Sequence, residues 1–89
     1  MGLERKFIYE DKIVRIAVVR GTGELQPHTH EDEVEIAVPL KGKFKIVVEG
    51  VEHRPEPCSP LRIEAGKKHY AIIEDGEAVA IFIKKSVYE

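Results

Sequence analysis

The sequence predicts an all-β fold, arranged as a small sandwich or closed barrel. Isoleucine and valine greatly outnumber leucine, and their β-branched side chains fit a pleated sheet better than a helix. The apolar residues fall in short runs of strand length that turn sequences separate, and no stretch shows helical periodicity. Many short strands in a small chain favour a sandwich or barrel, which leaves few exposed sheet edges.

The predicted strands follow one another at regular spacing. We expect them at residues 6–10, 12–20, 33–40, 43–49, 69–73 and 78–85. The turn sequences between them are Asp11-Lys12, GTG (21–23), KGK (41–43), EG (49–50), EAGKK (64–68) and EDGE (74–77). The segment RPEPCSPL (54–61) holds three prolines, which cannot donate to a sheet ladder, so we predict a loop there.

Several of these strands are apolar at consecutive positions, as in IAVV (16–19) and IVV (46–48). Such strands need a cover on both faces, and we expect the barrel interior on one face and a subunit interface on the other. The chain of 89 residues is expected to form one domain, residues 1–89. A domain of this size buries only roughly 60–65% of its unfolded surface, so a partner subunit or a metal would add needed stability. We therefore predict a homodimer.

Composition excludes several classes of partner. The net charge is −2 with both signs interleaved, which argues against the basic stripe of a nucleic-acid groove. No apolar run approaches the ~18 residues of a membrane helix, and the amino-terminal residues lack the apolar segment of a signal peptide. We expect a soluble, cytoplasmic protein. The scarcity of amides, with no asparagine and only Gln26, is typical of heat-adapted proteins.

The residues most suggestive of chemistry are histidines. His28 and His30 stand two positions apart, and side chains at that spacing project to the same side of an extended segment. Glu35 follows shortly afterwards, and His69 begins a later predicted strand. Three imidazoles and a carboxylate can form the shell of a divalent transition metal with positions left open for substrate or oxygen. The alternative is a polar loop that happens to contain two histidines.

The stretch HTHEDEVEIAVPLKG (28–42) resembles the first motif of the cupins, His-x-His, three or four residues, Glu, six residues, Gly. It is especially similar to the germin-like form, which also has four residues before Glu-Ile. The second cupin motif is partly present in CSPLRIEAGKKHYAII (58–73), which keeps Gly66 and His69. Its glycine, proline and asparagine positions hold Cys58, Glu64 and Ile73.

The resemblance implies a small jelly-roll barrel, also called a double-stranded β-helix, with a metal held by His28, His30, Glu35 and His69. Iron or manganese is the first expectation, because germin-like shells resemble theirs. Nickel, copper and zinc also suit imidazole and carboxylate ligands.

The orientation of Glu35 has two interpretations. Along EVEIAVPL (33–40), the even-numbered residues form one apolar face, and Glu35 lies on the other. If the even face is the core, Glu35 is a solvated surface acid. If Glu35 faces the barrel interior, as the cupin pattern implies, the even face is covered by a dimer interface or a second layer.

The expected pocket is mainly apolar. If His69 faces inward, Ala71 and Ile73 do so too, and neither can transfer a proton. Such a pocket suits chemistry performed by the metal, and we predict a metal-dependent enzyme acting on a small organic molecule, with a dioxygenase as the first candidate. The alternatives are a non-catalytic module that binds a sugar or effector and a storage or scaffold protein.

Three further side chains are expected to lie outside the site. We expect His53 at the surface, with the rim of the pocket as an alternative, and Cys58 as a small loop residue. Lone Cys58 cannot form an intrachain disulfide. Tyr70 alternates away from His69 and should pack outside the pocket.

Overall fold

The computed structural model describes residues 2–87, and most of them lie in β-strands. The strands are β1 (Leu3–Glu10), β2 (Val14–His28), β3 (Glu33–Val48), β4 (Val51–His53), β5 (Leu61–Ile63) and β6 (His69–Lys84), followed by a 3-10 helix at Lys85–Val87. Every strand pairing is antiparallel. The all-β prediction is confirmed.

The strands form one six-stranded sheet in the order β1-β2-β6-β3-β4, with β5 paired to β3. Three long strands, β2, β3 and β6, bend this sheet into two halves, which we call the first and the second sheet. The pairing register of these strands shifts at the same height along the barrel. On β2 the shift lies between Gly21 and Gly23, and on β3 it lies between residues 39 and 43. The first sheet contains β1, β5 and the segments 14–21 of β2, 33–41 of β3 and 76–84 of β6. The second sheet contains β4 and the segments 23–28 of β2, 43–48 of β3 and 69–73 of β6. Residues from both sheets pack in one hydrophobic cluster, so the sheets face each other.

Glycine makes this bend possible. Gly42 has a φ of +86°, and a Cβ at that position would overlap the backbone of Asp75 and Gly76. A Cβ on Gly76 would lie 2.6 Å from Cγ2 of Ile73 and 2.8 Å from the ring of Phe44. The GTG, KGK and EDGE sequences were predicted to end strands, and this prediction is wrong. They bend continuous strands, because close backbone approach needs glycine as much as a turn does.

The interior has two different ends. Near the bend, which we call the closed end, the inward side chains are aliphatic or aromatic and buried, among them Val19, Phe44, Ile73 and Ala78. At the opposite, open end, several inward side chains are polar, among them His69 and Glu33, both buried. Because each long strand folds back at the bend, residues from its two ends meet at the open end.

The outer face of the first sheet is aliphatic. Cross-strand pairing on this face forms three adjacent rows of side chains. The rows are Val14, Ile83 and Val34; then Ile16, Ile81 and Ile36; and then Val18, Val79 and Val38. The second sheet carries Lys43, Lys45 and Glu74 within its outer face. The even face of β3 is therefore the outer one.

The remaining predictions about loops agree with the structure. Residues 49–50 form a turn between β3 and β4, and residues 54–60 form the loop expected from their prolines. Within residues 2–87, no helix has the length and apolar character needed to cross a membrane.

Candidate metal centre

Three histidines and one glutamate converge at the open end of the barrel. One ligand atom from each of His28, His30, Glu35 and His69 lies within 4.8 Å of the others. His28 ends β2 and pairs with His69 at the start of β6, so the sheet ladder itself places these two rings side by side. Glu35 comes from β3, and His30 from the loop between β2 and β3.

Strand phase directs Glu35 inward. It shares its face with Ala37, which is buried in the core cluster, and its side chain is only 12% exposed. Its Oε1 lies 3.0 Å from Nε2 of His69. Of the two interpretations of β3, the structure therefore agrees with the inward-facing carboxylate.

Backbone carbonyls fix the tautomers of two histidines. Nδ1 of His28 donates to the carbonyl of Gln26 at 2.8 Å, and Nδ1 of His69 donates to the carbonyl of Lys67 at 2.9 Å. A carbonyl only accepts, so both Nδ1 atoms carry hydrogen, and in the neutral ring Nε2 carries none and can coordinate a metal. In this structure Nε2 of His69 donates to Oε1 of Glu35, so a metal would take the place of that hydrogen. Burial lowers the pKa of His69, but the hydrogen bonds with Glu35 and Lys67 outweigh it and raise the pKa overall.

The most informative atom is Nε2 of His30. It is buried and has no hydrogen-bond partner among residues 2–87, although Oε1 of Glu35 lies 3.9 Å away. Burial is the main cause that lowers the pKa of His30, and the positive charges that His28 and His69 can carry lower it further. A neutral imidazole with an unsatisfied nitrogen is the form that binds a metal.

The four residues fit a transition metal. Imidazole and carboxylate bonds to such ions are about 2.0–2.2 Å long, so two donors of one ion lie at most about 4.4 Å apart. A small inward movement of these side chains would bring their four donor atoms, which lie within 4.8 Å of one another, around one ion. Nitrogen and oxygen donors suit manganese, iron, nickel, copper and zinc. The geometry thus supports a metal site and does not select the metal.

Solved structures with the same architecture are numerous, although no family model and no curated protein matches the sequence. The cupin domain of Cnp3 from Schizosaccharomyces pombe superimposes with a TM-score of 0.87, at 13% identity, over 97% of this chain and 67% of that one. KdgF from Halomonas sp. has a TM-score of 0.84, at 22% identity, over 92% and 78%. Pac13, described as a nucleoside dehydratase, has a TM-score of 0.83, at 8% identity, over 92% and 69%.

The chain has the cupin fold. The jelly-roll prediction is thereby confirmed, and the structure shows where the residues of the two cupin motifs lie. The first motif supplies His28, His30 and Glu35, and Gly42 at its end lies at the bend. The second supplies His69, while Cys58, at its glycine position, has a φ of +67°, a conformation that favours glycine.

A buried ion pair beside the cupin site was not anticipated from the sequence. Glu33 is 8% exposed, and its carboxylate accepts two hydrogen bonds from Arg15, at 2.6 and 3.1 Å. The bond with Glu33 raises the pKa of Arg15. Oε1 of Glu33 also lies 3.8 Å from Nδ1 of His30, and Oε1 of Glu35 lies 3.9 Å from Nε2 of the same ring, so His30 stands between two carboxylates.

Aromatic rings hold this ion pair against the site. The guanidinium carbon of Arg15 lies 4.9 Å from the ring centroid of Phe82 and 5.2 Å from that of Phe7. Phe82 also packs edge-on against His30, with centroids 5.0 Å apart. Alternation along β2 would have found Arg15, because it shares its face with buried Ala17 and Val19.

The prediction of a mainly apolar pocket is wrong at the open end of this cupin barrel. Arg15, Glu33 and Glu35 all face inward there. The prediction holds deeper in the barrel, where Ala71 and Ile73 are buried beyond His69. Arg15 and Glu33 lie near the starts of β2 and β3, and the prediction of pocket polarity rested on the strand that begins at His69.

A cavity of about 380 Å³ connects the cupin site to solvent. Its lining residues are Arg5, Leu25, Gln26, Pro27, His28 and His30. A larger cavity of about 610 Å³, next to Tyr70, contains none of the four clustered residues, in keeping with the prediction that Tyr70 packs outside the pocket.

The other two candidates lie apart from the cluster. His53 is half-buried on β4 opposite Ile46, and Cys58 is exposed in the 54–60 loop. Neither belongs to the group of four.

Proposed function

We propose that this cupin binds one divalent transition metal per chain through His28, His30, Glu35 and His69 and is an enzyme acting on a small organic molecule. The observation that carries the proposal is Nε2 of His30, a buried nitrogen without a partner among residues 2–87, within a group whose donor atoms lie 4.8 Å apart or closer. A buried polar atom left unsatisfied costs roughly 1–3 kcal/mol, which a bound cation would recover.

The proposed reaction is an oxygenation, with iron or manganese as the first metals to test. When bound, such a metal would supply positions for substrate and for oxygen. The chain's other polar groups at the site are poor proton carriers: Glu33 is held by two bonds from Arg15, and an arginine stays protonated. This arrangement favours chemistry at the metal over acid–base catalysis by side chains.

Elemental analysis of tag-free protein tests the metal site first. We expect about one transition metal per chain in the parent and none in a His28→Ala/His30→Ala double variant. His53→Ala is the matched control, because it removes a histidine outside the group of four and should keep the metal. Equal metal contents in the parent and the double variant would refute the proposed ligands.

Oxygen uptake tests the activity. Protein loaded with iron(II) or manganese(II) should consume oxygen with at least one member of a panel of small organic acids and enols, and the double variant should not. The competing function is a binding module for a sugar or effector. Tight ligand binding that is the same with and without metal, together with no oxygen uptake, would support that alternative and contradict the enzyme.

We also propose that the aliphatic outer face of the first sheet pairs with the same face of a second copy. Nine adjacent positions there hold only valine and isoleucine. Three strands and five residues span about 14 Å by about 17 Å, the size of the apolar centre of an interface. A flat face without charge is complementary to itself, as a two-fold dimer requires.

Light scattering after size exclusion tests the dimer. Ile81→Lys places a charge in the central row of the nine positions and should give a monomer. The matched control is Ile72→Lys, which changes the outer face of the second sheet and should leave a dimer, since Ile72 is already 40% exposed beside Lys45. A parent that is monomeric at all concentrations, or that requires another protein to cover this face, would refute the proposal.

A further inference from the structure

The edge strand β1 directs a positive charge toward the site. Arg5 pairs directly with Val19, and residues opposite each other in a ladder project to the same face. Val19 is buried in the core cluster, and Leu3, two residues before Arg5, packs against that cluster. Arg5 therefore belongs to the inward face of the barrel although its side chain is exposed.

Arg5 differs from Arg15 in its partners. Both guanidinium groups lie over the ring of Phe7, at 5.4 Å for Arg5 and 5.2 Å for Arg15. Arg15 is neutralised by Glu33. Arg5 has no carboxylate within 4.0 Å among the residues that the structure describes. The ring of Phe7 thus lies against two guanidinium groups, and of these only that of Arg15 has a carboxylate partner among residues 2–87.

The unpaired guanidinium opens onto the same space as the candidate metal ligands. Arg5 lines the cavity of about 380 Å³ together with His28 and His30. Gln26, whose amide can donate a hydrogen bond, lines it as well. A molecule in this cavity would lie against His28, His30 and Arg5.

We propose that Arg5 binds a carboxylate group of the substrate and so selects small organic acids. This inference rests on the proposed metal-dependent function and adds the class of molecule on which it acts. A guanidinium presents two parallel N–H groups that match the two oxygens of a carboxylate, and stacking on Phe7 limits the orientations of that fork. The counterion missing from Arg5 would then be the substrate itself.

Titration of cobalt(II)-loaded protein with small acids tests the proposal. Malonate, succinate and glutarate place a second carboxylate at increasing distance from the first, and butyrate carries only one. The visible spectrum of cobalt(II) reports binding at the metal. We expect at least one diacid to bind the parent about 10-fold more tightly than butyrate, the scale of one charge-assisted hydrogen bond.

Arg5→Gln should abolish the preference for the diacid and leave butyrate binding and cobalt content unchanged. The matched control is Arg20→Gln, which removes the same charge from an exposed arginine that contacts Glu4 and Glu77. It should retain the preference. Equal diacid affinity in the parent and in Arg5→Gln, or no preference in the parent, would overturn the role of Arg5.

A second measurement separates this inference from the metal site. A parent that takes up no cobalt would refute the proposed metal function without concerning Arg5. In that case the nitrogen-15 signal of the Arg5 side chain is followed in metal-free protein during the same titrations. A shift with diacid and none with a neutral diamide would support the carboxylate site, and no shift with either would overturn it.

Discussion

The closed and open ends of this barrel are built from the same three strands, but apolar packing dominates one end and a cluster of polar side chains the other. At the closed end, apolar side chains fill the space, and Gly42 and Gly76 let the backbones approach. At the open end, imidazoles and carboxylates face one another, and one buried nitrogen has no partner among the described residues. The closed end is organised for packing, whereas the open end keeps a buried nitrogen that a bound cation would satisfy.

The largest expected effect is at the closed end. Gly42→Ala should lower the free energy of unfolding by about 3 kcal/mol, because the added Cβ overlaps the backbone of Asp75 and Gly76 and the φ of +86° adds strain. Gly50→Ala is the matched control, since Gly50 has a φ of +81° but nothing within 4 Å of an added Cβ. It should cost only about 1 kcal/mol in urea unfolding. Equal losses of unfolding free energy in the two variants would show that the close backbone approach at Gly42 does not contribute to the effect.

The next effect is at the open end and depends on metal. Metal at 100 times its dissociation constant should raise the free energy of unfolding of the parent by about 2.7 kcal/mol. His69→Ala should lose this increase, because His69 contributes one of the four ligand atoms. His53→Ala should keep it. Thermal unfolding with and without metal measures both, and a metal-dependent rise in His69→Ala would contradict the site.

Removing Arg15 should affect the open end through its neighbour. Arg15→Met leaves Glu33 buried without its cation, and we expect about 2 kcal/mol of destabilisation together with a metal affinity roughly 10-fold weaker. Adding Glu33→Gln removes the uncompensated charge and should restore stability but not metal affinity. Calorimetric titration with metal decides the outcome. Unchanged affinity in both variants would mean that the ion pair serves packing alone.

The smallest expected effect is a gain of stability. Cys58 has a φ of +67° in the 54–60 loop, and its amide donates to the carbonyl of Pro39 at 2.7 Å. Cys58→Gly relieves the left-handed strain and should raise the free energy of unfolding by about 0.5 kcal/mol after the added entropy of the unfolded chain. Cys58→Ala, which keeps a Cβ, should give no gain. Stabilisation by both substitutions would point to loss of the thiol as the cause.

The short apolar runs and the turn sequences between them were enough to predict the all-β fold, whereas choosing the four clustered residues also needed the resemblance to the cupin motifs. The i, i+2 spacing of His28 and His30 and the cupin motifs contain that information locally. The bends were mistaken for turns because a glycine sequence looks the same whether the strand stops or continues. Arg15 and Glu33 are 18 positions apart, and only the register of the sheet brings them together.

The position of Arg5 on β1 has a consequence for how such a barrel can diversify. Glu35 and His69 lie on strands that are paired on both sides, whereas β1 is paired only with β2. The inner face of β1 can therefore change its charge or size with little disturbance to the group of four. The residues proposed to bind the metal and the residue proposed to select the substrate thus lie in separate segments of the chain, and under these proposals a descendant could acquire a new substrate by changes in β1 alone.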